Sequence, residues 1–595
     1  MSVKSCTMDT SMSAYVFVVI LSLISTITNA GLSKPSVLFI VVDDLRPALG
    51  CYGNSLMVTP NIDNLATKSV LFNNTFVQQA LCGPSRTSFL TSRRPDTTHL
   101  YDFYSYWRKA AGNFTTLPQH FKQNGYFTQS VGKVFHPGVS SGHTDDFPYS
   151  WSVPAYHPPT QAYKMAKVCP GPKGNVYMDI VCPVTVKDQP GGSLPDIQSR
   201  EFAVNFFKNM SANHSQPFFL AVGFHKPHIP LKYPKEYRDL YPLNKIKLAH
   251  HHTFPLRLPL VAWNPWTDLR ERDDIKALNL SFPFGPVTKD YQLLMRQSYY
   301  AATSYMDSQV GLLLDALHTH GFSNNTIVVL VGDHGWSLGE HQEWSKYSNF
   351  EVSVRVPLII HVPGLTDKHT DITFQYKDPL KQVHVKYRNH SRSNLVQTQR
   401  EKIDIQKNYF KEYNVIRSKE FSLKKYKVSN DLMELVDLFP TISELAGLPV
   451  PSTCPPNPFK IDLCTEGSSA AKLIQSISHT DSSRQSTGLR WKSAVFSQYP
   501  RPSVEPQENS DKPHLKDIRI MGYTMRTQQY RYTEWVQFDP ATFHMNWSRV
   551  YGTELYLRNS DPDEAENMAY FSSYAELRSS LSRVLHEGWR SVLPT

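Results

Sequence analysis

Four short apolar runs constrain the fold more than any other feature of this chain. They are Val37–Val42, Phe218–Val222, Ile327–Val331 and Val356–Val362. Polar or turn residues bound each run, which is typical of strands that are covered on both faces of a sheet. Helical patterns lie between them. Alternating strands and helices predict an α/β fold with a large, mostly parallel sheet and helices on both faces.

Three segments carry these helical patterns: Asn61–Lys68, Tyr299–Thr319 and Leu432–Ala446. The second stops before Gly321 and the third before Gly447, as helices commonly do. Pro440 lies inside the third segment, so we expect that helix to be kinked or split.

A second, smaller unit follows the sheet pattern. Residues 31–465 are predicted to form the larger domain and 485–595 a smaller α+β subdomain, with the boundary near 450–485. Tyr523–Val536 alternates like antiparallel strands, and Tyr574–Glu587 has a helical pattern. The Pro-rich loops of Phe147–Pro195 are expected to cover one edge of the large sheet.

The first 30 residues are predicted to be a secretory signal. Ala14–Ile24 is an apolar run of about half the ~20 residues that span a bilayer, and small residues precede a cleavage point after Ala30. No later segment is long and apolar enough to span, so the mature chain should have no transmembrane segment. Asn-x-Ser/Thr glycosylation motifs occur at Asn73, Asn113, Asn209, Asn213, Asn279, Asn324, Asn389 and Asn546.

Cysteine usage fits an oxidising compartment. Of the seven cysteines, Cys6 leaves with the signal. Cys169/Cys182 and Cys454/Cys464 are close pairs in Pro-rich loops and are predicted to form two local disulfides. Cys51 is interpreted as a small buried core residue, which leaves Cys82.

The formal net charge of +10 is concentrated in one segment. The basic insert, residues 366–430, has fifteen Lys/Arg against seven Asp/Glu. It is expected either to attract polyanions such as glycosaminoglycans or to be a solvated, partly flexible loop.

Two motifs place carboxylates at strand ends, and a third places a cysteine at the start of a helix. Asp43 and Asp44 follow the first apolar run, and Asp333 and His334 follow the third. Carboxylates at the carboxyl ends of parallel strands lie where such sheets bind ligands, and they repel one another unless a cation neutralises them. Hard oxygen ligands select Ca²⁺ or Mg²⁺. Cys82 opens a helix, where free backbone N–H groups favour anions.

Cations and imidazoles occur in three further motifs. Lys133 and His136 lie in Gly132–Pro137, and Lys346 follows Trp344-Ser345. Phe224–Pro230 contains two histidines, His225 and His228, between which the residues alone do not choose. Such groups bind an anionic substrate and transfer protons.

Together these motifs resemble the sulfatase family. Cys82–Arg86 is similar to its Cys-x-Pro-Ser-Arg signature and Gly132–His136 to its Gly-Lys-x-x-His. The resemblance implies an alkaline-phosphatase-like fold and oxidation of Cys82 to formylglycine by the formylglycine-generating enzyme. It also implies one Ca²⁺ held by Asp43, Asp44, Cys82, Asp333 and His334. It favours His228 as the catalytic histidine, because the family places it in Pro-His-x-Pro.

The same resemblance implies roles for the remaining groups. The implied catalytic residues are Cys82, Arg86, Lys133, His136, His228 and Lys346. Arg86 and Lys133 would hold the hydrated formylglycine, His228 would protonate the leaving oxygen, and His136 would remove the second hydroxyl proton. Substrate contacts are expected from Lys133, His228, Lys346 and Trp336, although Trp336 is equally interpreted as a structural aromatic.

Longer stretches resemble lysosomal members of the family that act on heparan sulfate and dermatan sulfate. They cover residues 94–98, 131–138, 333–341, 497–503 and 517–523. This implies hydrolysis of the 2-O-sulfate of iduronate in glycosaminoglycan oligosaccharides, no nucleic-acid partner, and a lysosomal or secreted destination. Gly332, where a serine is expected, and the long basic insert depart from the pattern. A related phosphatase and a glycan-binding protein without activity are the alternatives.

Overall fold

A computed structural model describes residues 34–213, 216–367, 373–381, 426–479 and 490–594. The predicted signal segment and most of the basic insert lie outside these residues. Within them, no helix has both the length and the apolar character needed to cross a bilayer.

A seven-stranded sheet forms the centre of the fold. Its strands are β1 (Ser36–Val42), β2 (Val70–Phe76), β3 (Phe127–Gly132), β4 (Phe218–Phe224), β5 (Thr326–Gly332), β6 (Arg355–His361) and β7 (Lys427–Glu434). They are ordered β7-β2-β6-β5-β1-β4-β3, and β6 alone runs antiparallel to its neighbours. The four predicted strands are β1, β4, β5 and β6, so the α/β class and the mostly parallel sheet are confirmed.

Strand β1 lies in the middle and shows why the sheet is buried on both sides. Leu38 pairs with Leu220 of β4 and with Val328 of β5. Alternate residues of β1 enter two different apolar cores, Phe39 on one face and Ile40 on the other. A strand without a solvent face reads as a continuous apolar run, which is the pattern seen in the sequence.

Helices cover both faces. The longer ones are α1 (Pro60–Ala66), α2 (Cys82–Thr91), α3 (Leu117–Gln123), α4 (Pro195–Asn213), α5 (Lys289–Thr319), α6 (Leu438–Leu445), α7 (Ala471–His479) and α8 (Ala575–Glu587). Single-turn helices lie at Pro95–Thr98, Trp107–Ala110, Thr267–Arg270, Asp273–Lys276 and Glu351–Val354. The predicted helices at 61–68 and 299–319 are confirmed, the second starting earlier at Lys289.

The predicted helix over Leu432–Ala446 is wrong in its first half. Residues up to Glu434 belong to β7, a 3-10 turn covers Leu435–Asp437, and α6 begins only at Leu438. Pro440 therefore lies in the first turn of α6, where no intrahelical partner is needed for a backbone N–H, and it does not split the helix.

Strands β2, β3 and β7 were not predicted because their sequences contain polar residues. β3 and β7 are the two edges of the sheet. The Pro-rich segment runs along the β3 edge: the N–H of Ser152 donates to the Thr128 carbonyl at 2.9 Å, and that of Tyr156 to the Ser130 carbonyl at 3.0 Å. The predicted cover of this edge is confirmed, as are the disulfides Cys169–Cys182 and Cys454–Cys464. Cys51 is buried in the core, as expected.

The C-terminal part contains a four-stranded antiparallel sheet with α8 packed on it. Its strands, in order, are β8 (Ala494–Arg501), β9 (Ile520–Thr527), β10 (Tyr530–Asp539) and β11 (His544–Leu557). The predicted strand pair is the β9–β10 hairpin, and the predicted C-terminal helix is α8. The proposed domain limits stay a prediction.

Candidate active site

Polar side chains meet at the carboxyl edge of the central sheet. Asp43 and Asp44 follow β1, Lys133 follows β3, and Asp333 follows β5. Because these strands are parallel, their ends lie on one edge, where α/β folds bind ligands. The order of the strands therefore brings together residues that are distant along the chain.

Cys82 lies at the centre of this group. It is the first residue of α2 and is buried. Its Sγ is 3.2 Å from His334 Nε2, 3.2 Å from Lys346 Nζ, 3.4 Å from Lys133 Nζ and 3.5 Å from Asp43 Oδ1. Burial is the main cause that raises the pKa of the Cys82 thiol, with Asp43 adding to it. The group at residue 82 thus faces cations and carboxylates while the thiol itself stays protonated.

Arg86 links two of the carboxylates. It lies one turn after Cys82 on α2, so both side chains share a helix face. Its Nε donates to Asp333 Oδ2 at 2.9 Å, one terminal nitrogen reaches Asp43 Oδ1 at 3.2 Å, and the other donates to the Val134 carbonyl at 3.0 Å. These bonds fix the start of α2 against the ends of β1, β3 and β5.

Asp44 is the carboxylate with an unused oxygen. Its Oδ1 accepts from Lys346 Nζ at 2.6 Å, whereas its buried Oδ2 has no hydrogen-bond partner and is 3.9 Å from His228 Nε2. Burial raises the pKa of Asp44 to about 7 against the opposing charge of Lys346. A buried carboxylate oxygen without a donor fits an additional cation at this position.

His334 presents a lone pair to the same place. Its Nδ1 is 3.0 Å from the Gly335 carbonyl, and because a carbonyl only accepts, the proton lies on Nδ1. The unprotonated Nε2, which is 3.2 Å from Cys82 Sγ, faces Asp44 Oδ1 at 3.4 Å and Asp333 Oδ2 at 3.5 Å. Donor atoms of Asp43, Cys82, Asp333 and His334 lie within 4.8 Å of one another, as do those of Asp43, Asp44, Cys82 and His228. The arrangement fits one divalent cation beside residue 82.

The backbone around these groups is held in uncommon conformations. Asp44 has φ of 59°, and Ser345 and Tyr347, which flank Lys346, have φ of 74° and 71°. Non-glycine residues adopt this region rarely and at a cost, typically where function fixes the side chain. The N–H of Asp44 donates to Asp333 Oδ1 at 3.0 Å and helps hold this conformation.

Two glycines allow the strands to approach the site closely. A Cβ at Gly223 of β4 would lie 1.9 Å from the Lys133 carbonyl oxygen, and one at Gly332 would lie 2.5 Å from that of Leu45. Gly332 was expected to be serine, and in this chain the close Leu45 backbone leaves no space for a side chain there.

Trp336 lies behind Lys346 rather than on the pocket wall. It is 2% exposed, and Lys346 Nζ is 5.5 Å from the centre of its ring. The contact supports Lys346 through a cation–π interaction. A direct contact of Trp336 with substrate stays a prediction.

Three histidines face the site differently. His228 Nδ1 pairs with the Ile229 carbonyl at 2.6 Å, so its Nε2 points toward Asp44, whereas His225 is held by Asp196 at 3.3 Å. His136 stacks on Phe103, with ring centres 4.2 Å apart. Burial, reinforced by neighbouring lysines, lowers the pKa values of His136 and His228 well below the usual range. The geometry favours His228 over His225 for proton transfer beside residue 82.

An open pocket leads to this group, and sequence reasoning did not find all of its wall. Lining residues are Asp43, Lys133, His136, Pro137, His157, Thr160, Gln161, Lys164, Pro195, His225, Lys226, His228, Ile229, Pro230 and Lys232. Lys164 and His157 come from the Pro-rich loops, where no periodicity or motif marks them. Asp196 was also missed, although it accepts from the N–H groups of His225 and Lys226 at 2.7 and 3.0 Å.

Comparison with known proteins decides the family. The sulfatase family model matches residues 35–448, which include every residue described around Cys82. The chain belongs to the sulfatase family. As a sulfatase it is a sulfuric ester hydrolase, and its sequence is 50% identical over 546 residues to human iduronate 2-sulfatase, covering 91% of this chain and 92% of the relative. Mouse iduronate 2-sulfatase is 49% identical over 556 residues, covering 93% and 94%.

The fold of this sulfatase is shared more widely. A phosphonate monoester hydrolase of Agrobacterium radiobacter superposes with a TM-score of 0.60 at 18% identity, covering 94% of this chain and 96% of that one. At that identity the likeness concerns the fold alone, and the chemistry has to be argued from the site.

Proposed function

We propose that this sulfatase hydrolyses the 2-O-sulfate ester of iduronate in heparan sulfate and dermatan sulfate oligosaccharides. The observation that carries the proposal is the position of Cys82, buried at a helix start between Lys133, Lys346 and His334 and next to the unpartnered oxygen of Asp44. The identity to two iduronate 2-sulfatases supports the choice of sugar.

In this proposal Cys82 is the precursor of the nucleophile. Its raised pKa disfavours a thiolate, and a thiol that took up sulfate would form a stable thiosulfate-type ester. Oxidation to formylglycine supplies a hydrated aldehyde, one hydroxyl of which attacks sulfur in line with the departing sugar oxygen. The Sγ position marks where that hydroxyl lies.

Asp43, Asp44, Asp333 and His334 would hold calcium. When bound, calcium stabilises negative charge that develops on sulfate and on the attacking hydroxyl. The Asp44 oxygen that has no hydrogen-bond partner is the atom that most needs this cation, and the unprotonated Nε2 of His334 offers a lone pair near it.

The remaining residues bind charge and move protons. Arg86 and Lys133 stabilise the ionised hydroxyl on residue 82, while Lys133 and Lys346 bind sulfate oxygens. His228 donates its Nε2 proton to the leaving sugar oxygen, and a bound sulfate raises the low pKa of this imidazole by its negative charge. His136 then accepts the proton of the second hydroxyl on residue 82, which expels sulfate.

Location and maturation complete the proposal. The predicted signal, the eight glycosylation motifs and the two disulfides support the secretory pathway, with the lysosome as the destination and the formylglycine-generating enzyme as the maturation partner. A protein sorted there meets glycosaminoglycan fragments as substrates.

The test is sulfate release from disaccharides that carry one sulfate each. We expect release from a non-reducing-end iduronate 2-sulfate, none from a disaccharide sulfated only on the amino sugar, and none with Cys82→Ala. Release only from the second disaccharide would contradict the specificity, and binding without release from either would favour a glycan-binding protein.

A further inference from the structure

The wall of the active-site pocket is strongly basic beyond the groups that the proposed mechanism uses. Four lysines and four histidines line it, with Asp43 as the one carboxylate. Burial lowers the pKa values of His136, His225 and His228, so the lysines supply most of the positive charge. A sulfate ester needs only the cations around residue 82. The additional positive charge on the wall suggests a second negative group on the ligand.

Three of the four lysines on this wall have partners. Lys133 Nζ pairs with Asp43 at 2.6 Å, Lys226 Nζ donates to the Pro230 carbonyl at 2.7 Å, and Lys232 Nζ donates to the Tyr163 carbonyl at 3.3 Å. The ammonium groups of these three lysines therefore already have partners within the protein.

Lys164 is the exception. Within residues 34–213, 216–367, 373–381, 426–479 and 490–594, its Nζ makes no hydrogen bond or ion pair, although the residue is only partly exposed. The Lys232 bond to Tyr163 fixes the backbone next to it. Burial, followed by the charge of Lys133, lowers the pKa of Lys164 to about 8, so it stays protonated at acidic and neutral pH.

We propose that Lys164 forms a second anion subsite in the pocket, which binds an oxyanion of the substrate other than the reacting sulfate. This rests on the proposed function, because it assumes a polyanionic sugar substrate. Two sources share this chemistry: the carboxylate of the reacting uronate and a sulfate on the neighbouring sugar. Lys164 is thus a specificity-determining residue and not a catalytic one.

A further feature of the wall agrees with this role. His157 lines the same pocket, and its Nε2 is 3.2 Å from Asp145 Oδ2. This bond raises the pKa of His157, which adds positive charge to the wall in acidic conditions.

The experiment compares Lys164→Met with wild type on three substrates. They are a 4-methylumbelliferyl iduronide 2-sulfate, a disaccharide of 2-sulfated iduronate with unsulfated glucosamine, and the same disaccharide with a 6-sulfate on glucosamine. Lys167→Met is the matched control, because Lys167 is in the same loop but its side chain is 67% exposed and it is 3.8 Å from Asp273.

We expect Lys164→Met to raise KM about tenfold with kcat changed less than about twofold, the usual weight of one charged hydrogen bond. A rise in KM on all three substrates would identify the uronate carboxylate as the group that Lys164 binds. A rise in KM only on the 6-sulfated disaccharide would identify the sulfate on the neighbouring sugar. Lys164→Arg should restore KM, and Lys167→Met should leave it unchanged.

Unchanged KM on all three substrates would overturn the subsite, and so would an equal fall in kcat with KM constant. Failure of the proposed function looks different: wild type would then release no sulfate from any of the three. In that case the subsite is tested by the affinity of the protein for inorganic sulfate. Sulfate should bind wild type about tenfold more tightly than Lys164→Met.

Discussion

Two clusters of buried charge lie near the two ends of helix α2, and only one of them is a candidate active site. The structural cluster consists of Arg94, Glu434, Asp437 and Lys492, and it joins β7 to the start of the C-terminal sheet. The active-site cluster surrounds Cys82. The side chains of both clusters are buried, and both clusters pair carboxylates with cations.

The difference lies in the carboxylate oxygens. Glu434 accepts from both terminal nitrogens of Arg94 at 2.7 and 2.8 Å and from Lys492 at 2.7 Å. Asp437 accepts from Lys492 at 2.5 Å and from the N–H of Glu434 at 2.8 Å. Every oxygen of these two carboxylates has a donor, whereas one oxygen of Asp44 has none.

The pKa values differ between the fully paired Glu434 and the half-paired Asp44, although not between the clusters as wholes. Burial raises the pKa of Asp437, and Lys133 lowers that of Asp43 against the effect of burial. Against the effect of burial, Arg94 and Lys492 lower the pKa of Glu434 to about 2, whereas burial raises that of Asp44 to about 7. Buried charge alone therefore does not indicate function. A buried carboxylate left without enough positive charge, beside an open pocket, does.

The largest expected effect comes from Cys82. Cys82→Ala should lower sulfate release by about 10⁴-fold or more, because the nucleophile is lost. Cys51→Ala, a matched change of the other free cysteine, should leave kcat within about twofold, since Cys51 is a core residue. Comparable activity in the two variants would contradict the role of Cys82.

Breaking the structural cluster should affect stability instead. Glu434→Ala leaves Arg94 short of its bidentate partner and should lower the free energy of unfolding by about 3–5 kcal/mol. Glu201→Ala removes an exposed partner of Arg200, with an expected change below about 0.5 kcal/mol. Urea unfolding measures the free energy of unfolding of both variants. Equal stability of Glu434→Ala and Glu201→Ala would contradict the structural role of this cluster.

Calcium should stabilise through the active-site cluster alone. At about 100 times its Kd, calcium adds about 2.7 kcal/mol to the free energy of unfolding. Asp44→Asn should remove most of this gain and Glu434→Ala should retain it. Thermal unfolding in chelator and in added calcium gives the comparison, and a gain that survives in Asp44→Asn would place the ion elsewhere.

The smallest effect is on pH dependence in chelator. The pKa of Asp44 is raised on folding, so the metal-free chain loses stability as the pH rises from about 4 toward 7. Glu434 has the opposite sign: its stabilisation is present above about pH 4.3 and is lost as the pH falls toward 2. From pH 5 to 7, wild type should lose about 1–2 kcal/mol more than Asp44→Asn. Equal losses of stability in the two proteins would contradict a raised pKa of Asp44 in the folded chain.

The sequence predicted those elements and site residues that are marked by a continuous pattern along the chain. Strands β1, β4, β5 and β6 lack a solvent face, so their apolar runs stand out, and the carboxylates after them mark the sheet edge. The polar residues of β2, β3 and β7 interrupt any such run. The helix predicted from Leu432 wrongly included the end of β7, because the apolar residues there are compatible with a strand as well as with a helix. Lys164, in the Pro-rich loops, lines the pocket, and Asp196, in the first turn of α4, holds the backbone of His225 and Lys226. Both positions depend on residues that are distant in sequence, so no spacing reveals them.

The most direct test of the account is the mass of the tryptic peptide that contains Cys82, taken from protein secreted by eukaryotic cells. Oxidation of the thiol to the aldehyde lowers the mass by about 18 Da. The account predicts this loss in active protein and its absence from the peptide that contains Cys51. An unmodified thiol at Cys82 in fully active protein would contradict it.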